Sequence, residues 1–143
     1  MANTQAIGVA YADQNISGAD NLLAVSSIGY TNAMNGVGGG GSVTQATSKS
    51  TGVTLNKPCG QITMNNAALA AGAEAVFTVT NSTITAYDVP VVCIASGGTS
   101  GSYLVSVSAV AAGSFDVTIS NVSAGSLSEA VVLNFAVINS VIS

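Results

Sequence analysis

The sequence predicts an all-β protein: a β-sandwich of jelly-roll or immunoglobulin-like type with an extended N-terminal arm. Three observations predict it. From Ser42 onward apolar and polar residues alternate with period two, the signature of half-buried strands. Glycine-bearing turn signals recur at short spacing, at Lys57-Pro58-Cys59-Gly60, Ala71-Gly72, Gly97-Gly98, Ala112-Gly113 and Ala124-Gly125. Helix-forming runs are nearly absent; "NNAALAAGAEA" is broken by Gly72 and reads equally well as a loop over the sandwich edge.

The strands follow in chain order. "SVTQATS", "TGVTL" and "GQITM" are short candidates. "EAVFTVTN" sets Ala75, Phe77 and Val79 on one face against Val76, Thr78 and Thr80. "GSYLVSVSAVAAG" sets Tyr103, Val105, Val107 and Ala109 against Leu104, Ser106 and Ser108, and "GSFDVTISN" sets Phe115, Val117 and Ile119 against Asp116, Thr118 and Ser120. "DVPVVCIAS" and "EAVVLNFAVI" are apolar on both faces, which implies cover on both sides by a second sheet, a neighbouring subunit or a partner. The domain division that follows is an arm with a glycine-rich hinge at residues 1–41 and a sandwich at 42–143. The arm holds one apolar run, "NLLAVSSIGY", too little to close a core alone; it either orders against a partner or adds a strand or two to the sandwich.

Composition narrows the function classes. Only 6% of the 143 residues are charged, against about 25% in ordinary soluble domains, while 48% are hydrophobic and the mean hydropathy is +0.57. The longest apolar run, "AVVLNFAVINSVIS", is shorter than the roughly 20 residues of a membrane span and carries Asn134, Asn139 and Ser140, so no membrane partner is expected. No secretion signal is read at the start "MANTQAIGVAYADQN". With Lys49 and Lys57 as sole cations, no arginine and a net charge of −4, nucleic acid is not an expected partner. So neutral an exterior has little charge repulsion to keep copies apart, which points to an assembly protein.

Chemistry has few carriers. Histidine is absent, which removes Ser-His-Asp and Cys-His catalysis and the commonest metal ligand. Asp13, Asp20, Glu74, Asp88, Asp116 and Glu129 are scattered and read as solvated carboxylates rather than a catalytic pair. "NGVGGGGSVT" fits G-x-G-x-x-G at Gly36, Gly38 and Gly41, but a Ser/Thr/Val-rich extended stretch follows where a nucleotide site needs a helix, so it reads as a flexible linker. "DQNISG" imitates half of a calcium loop through Asp13, Asn15, Ser17 and Gly18, yet Ala24 stands where a bidentate Glu is needed. No enzyme activity, cofactor, metal or small-molecule substrate is expected. Cys59 and Cys93, which would close a loop of about 34 residues if oxidised, are expected as free thiols. The sequons at Asn15, Asn81 and Asn121 read as chance in an Asn/Ser-rich chain.

The run "TLNKPCGQITMNNAALAAGAEAVFTVTNSTI" and the later "VVCIASGGTSGSYLVSVSAVAAGSFDVTISNVSAGSLSEAVVLNFAVI" resemble the β-sandwich domain of capsid cement, or decoration, proteins of tailed bacteriophages, cyanophage-type heads in particular. The resemblance covers about residues 42–140 and lies in strand and turn phrases rather than in a chemical signature. It implies a homotrimer on the capsid exterior, made in the host cytoplasm and bound where major capsid protein subunits meet, with the arm reaching over its neighbours. Cys59 departs from the usual phrase, at a position read as a turn. Expected contact residues are Leu22, Leu23, Val25, Ile28 and Tyr30 in the arm and Val131, Leu133, Phe135, Val137 and Ile138 near the C-terminus, with core burial expected for one face of that last strand. The alternative is a carbohydrate-binding or host-adhesion module, which needs exposed aromatic platforms from Tyr11, Tyr30, Tyr87, Tyr103 and three Phe, without any Trp.

Overall fold

A computed structural model of the chain describes residues 39–140. Eight strands follow in order: β1 Gly41–Thr44, β2 Val53–Thr54, β3 Cys59–Thr63, β4 Glu74–Thr80, β5 Val89–Ser96, β6 Tyr103–Ala111, β7 Ser114–Asn121 and β8 Val132–Ile138. Among the described residues there is no helix, and "NNAALAAGAEA" is a loop tied down by a Leu69–Leu127 bridge until β4 begins at Glu74. Each expected strand is present. Two four-stranded sheets result, ordered β1-β3-β8-β5 and β2-β4-β7-β6, and they stack as a β-sandwich.

The chain crosses between sheets at every connection except the β6–β7 hairpin, so β1 comes to lie beside β2 at one corner and β5 beside β6 at the other. Each sheet begins with a parallel edge pair, β1 with β3 and β2 with β4; all other pairs are antiparallel. β1 starts within the glycine run, so Gly41 opens a strand rather than a nucleotide-binding helix.

Alternation places the core. Ala75, Phe77 and Val79 of β4 and Phe115, Val117 and Ile119 of β7 point inward, opposite Ile62 of β3 and Leu133, Phe135 and Val137 of β8. Phe115 and Phe135 meet across the layers with ring centroids 5.5 Å apart and planes tilted by 56°. Fully burying each such side chain contributes about 1.5–3 kcal/mol. Two sequence expectations change here. A bulge between Val107 and Ala109 shifts the alternation of β6, so Ala109 is exposed and Val110 packs against the core. Cys59-Gly60 is the start of β3 rather than a turn; a Cβ at Gly60 would stand 2.7 Å from the Gly41 carbonyl oxygen and from Leu55.

Candidate binding surface

The two sheets present different outer faces. On the β4-β7-β6 sheet the outward residues are mostly hydroxyls and carboxylates bonded to each other: Thr78 Oγ1 donates to Asp116 (2.7 Å), Ser120 Oγ to Glu74 (2.8 Å) and Thr118 Oγ1 to Ser108 (2.9 Å). Val76 and Leu104 are exposed there, but on strands separated by β7. Such singly placed apolar residues are ordinary on a protein surface.

The other outer face has an apolar corner. The register puts Val89 opposite Ile138, and Val91 opposite Ala136, which in turn lies opposite Cys59. Val89, Val91 and Ile138 are 52%, 50% and 57% exposed, Cys93 is exposed, and Cys59 and Ala136 are half-buried. Next to this corner runs a polar row, Ser42, Gln61 and Asn134, with Gln61 Nε2 donating to Asn134 Oδ1 at 3.1 Å. The corner carries no charged side chain and belongs partly to β5, which pairs with β8 on one side only. An apolar edge strand of eight residues is a surface that invites cover.

The expected contact residues divide accordingly. Val131, Leu133, Phe135 and Val137 lie in the core, none more than 4% exposed, and only Ile138 of that run reaches the surface. Leu22, Leu23, Val25, Ile28 and Tyr30 lie outside the described residues, as do Asp13, Asn15, Ser17 and Gly18 and the sequon at Asn15. Val89 and Val91 were not singled out; their signal was the two-sided apolar pattern of "DVPVVCIAS". Cys59 and Cys93 are both free.

Polar side chains close the two ends of the sandwich. Asn81 and Asn121, each just past the β4–β7 pairing, are buried and work alike. Asn81 Oδ1 accepts from the Thr83 amide (2.9 Å) and hydroxyl (2.7 Å), while its Nδ2 donates to the Lys57 carbonyl (2.8 Å). Asn121 Oδ1 accepts from the Ser123 amide (3.0 Å) and hydroxyl (2.7 Å), and its Nδ2 donates to the carbonyls of Leu69, Ala70 and Gly125. The N-x-[ST] spacing at these sites is therefore a turn device, with the Ser or Thr hydroxyl as a local partner.

Asp88 clamps the end where β1 begins, accepting from the amides of Thr85 (2.7 Å) and Ser140 (2.9 Å) and from Asn139 Nδ2 (3.1 Å). Those backbone amides, Thr85 foremost, hold its carboxyl below the usual aspartate range. At the opposite end Lys49 is 3% exposed, and its Nζ donates to the carbonyls of Asn65 (2.7 Å) and Glu129 (2.5 Å). Burial lowers the Lys49 ammonium against the opposing pull of the Glu129 carboxylate. Thr99 binds that carboxylate through its amide and hydroxyl and holds it below the usual range. The buried Tyr103 hydroxyl has no partner in hydrogen-bonding geometry, and burial, with Glu129 nearby, pushes its phenol up to about 12.

Each of the four described carboxylates thus has a structural partner, and among the described residues no group of three or more Cys, Asp or Glu could hold a metal ion. Tyr87 is the exposed aromatic of the described residues; Tyr103 and the three Phe are buried. Comparisons with protein-family models, with curated proteins and with solved structures find no match to this chain.

Proposed function

We propose that the chain is a non-enzymatic structural protein of a tailed bacteriophage, a capsid cement protein that binds across major capsid protein subunits and stabilises the expanded head, as a homotrimer on the capsid exterior. The observation that carries the assembly reading is the uncharged corner of Val89, Val91, Ala136 and Ile138 on a chain with 6% charged residues. The phage reading rests on the resemblance of the strand and turn phrases of residues 42–140.

Mechanistically such a protein works by mass action. Each copy buries apolar surface against two or more shell subunits, so opening the shell must first lose those contacts. Near-neutrality suits the role, since little charge is desolvated as the corner is covered. The test is to mix purified protein with expanded, decoration-free heads and look by electron microscopy for attachment in fixed stoichiometry, with heat resistance of the heads as a second readout. Absence of attachment, with a glycan array that binds the protein strongly, would replace this reading with the adhesion one.

A further inference from the structure

We propose that the apolar corner is the place where copies of this chain meet, with Val89, Val91, Ala136 and Ile138 of one copy covering the same residues of another. The proposal deepens the proposed function and rests on it for the number of copies alone.

Charge selects the occupant. The chain has two cations against six carboxylates. Lys49 is spent on buried backbone carbonyls, which leaves Lys57, half-buried in the loop ahead of β3, as the one cation available to a neighbouring copy. The outer face of the β2-β4-β7-β6 sheet carries Glu74 and Asp116, so two copies stacked on it would bring like charges together with almost nothing to offset them. The outward positions of the other sheet hold only aliphatic, hydroxyl, amide and thiol groups. Of the two broad faces it alone accepts an identical face without a charge penalty. A cationic foreign partner would have the opposite preference, for the carboxylate face.

The edge of β5 is blunted, so the contact is face to face. The Val137 amide donates to the Pro58 carbonyl, on the β3 side, at 2.8 Å, and Val137 is the register partner of Pro90. The hydrogen-bonding side of Pro90 therefore looks toward the free edge of β5, where proline offers no amide, and a bulge between Ile94 and Ser96 interrupts the edge further on. Sheets that cannot add strands stack instead, about 10 Å apart. The face measures roughly four strand spacings by the seven residues of β8, about 450 Å² in outline, against about 800 Å² from each partner in a stable interface. A single contact of this size is weak. Joining copies through it lets several weak shell contacts act together, which is how loss of the corner would weaken attachment to a head.

Sedimentation velocity of the full chain from about 1 to about 200 µM should show monomer giving way to oligomer, with a midpoint on the order of tens of micromolar. Val91→Lys and Val91→Glu should each weaken association by about tenfold or more. Their equimolar mixture should return to within about threefold of wild type, because opposite charges then face each other across the contact. Asp116→Asn, on the other outer face, should leave association within about twofold of wild type. Ile138→Lys and Ile138→Glu repeat the test should a Val91 variant fail to fold. A wild type that stays monomeric at about 200 µM overturns the proposal. So does association that ignores the charges at Val91 and Ile138, a mixture as weak as its components, or association lost in Asp116→Asn. Head attachment is scored separately: a monomeric wild type that attaches sinks only this proposal, and a corner-dependent oligomer that does not attach sinks only the proposed function. A corner-dependent dimer keeps the proposal and removes the trimer.

Discussion

The two ends of the sandwich are closed by the same device and surrounded by different chemistry. Asn81 at the end where β1 begins and Asn121 at the opposite end each use a side-chain amide to hold the neighbouring backbone, with a Ser or Thr two residues on. At the Asn121 end Gln45 and Lys49 turn inward to serve backbone carbonyls, the Glu129 carboxylate accepts from Thr99 at the surface, and Tyr103 is buried. Around Asn81 the outer face of β5 and β8 leaves apolar side chains in solvent. Both ends use polar side chains to hold backbone, Asp88 doing so beside Asn81, and the Asn81 end adds exposed aliphatic side chains, Val89, Val91 and Ile138, on its outer face. Substitutions of the buried polar groups at either end should change melting, and those in the apolar corner should change association.

The largest effect is expected at Asn121. Replacing it with Ala removes three donated bonds, to the carbonyls of Leu69, Ala70 and Gly125, which each keep another donor, and strands the Ser123 amide, at a cost of about 3 kcal/mol. Asn81→Ala, which removes fewer bonds, should cost about 2 kcal/mol. Urea melts of the two variants measure the difference, and equal costs would break the comparison. Lys49→Met comes next: it keeps the aliphatic stem and removes the donor to Asn65 and Glu129, for a loss of about 2 kcal/mol. An unchanged melt would mean that the buried ammonium serves neither carbonyl.

Tyr103→Phe should change stability by less than about 1 kcal/mol, because relief of a buried hydroxyl with no partner in hydrogen-bonding geometry is offset by loss of its interaction with the Glu129 carboxylate. The pH dependence is a separate readout. A phenol raised to about 12 in the fold favours the neutral form, so its contribution is complete below the ordinary tyrosine value of about 10 and is lost as pH rises toward 12. The variant should therefore be less sensitive than wild type to alkali between about pH 10 and 12. Equal alkaline slopes would show that the phenol does not titrate against the fold.

How much of this was legible in the sequence follows from how local each signal is. Period-two alternation is local, and it placed β4, β6 and β7 and the inward faces of β4 and β7, while two-sided apolar runs marked β5 and β8. The bulge in β6 left no mark, because "SVSAVA" reads equally well on either side of a one-residue slip. Cys59-Gly60 resembled a turn since Pro58 precedes it, whereas the glycine is there for the close approach of Gly41 and Leu55 across the sheet. The sequons at Asn81 and Asn121 carried turn information that their chance frequency concealed. Nothing near Lys49 announced its burial, which depends on carbonyls 16 and 80 residues away. Of the apolar corner, the two-sided apolar pattern of β5 and β8 was legible in the sequence, and the long-range register shows which of its side chains gather there.

The smallest effect on stability should come from Val91→Ser, and it tests the comparison most directly. Val91 is half exposed on an edge strand, so in the isolated chain its loss removes little buried area and should shift stability by less than about 0.5 kcal/mol. A core residue on the neighbouring strand gives the scale: Leu133→Ala, wholly buried, should cost about 2–5 kcal/mol. If the corner exists for contact, Val91→Ser should nevertheless weaken attachment to heads, and a Thr80→Ser control on the other outer face should not. The ratio of binding loss to stability loss is then the discriminating quantity, high for a contact residue and low for a structural one. A Val91→Ser protein that melts like wild type and attaches like wild type would make the apolar corner mere exposed surface and remove the contrast between the two ends.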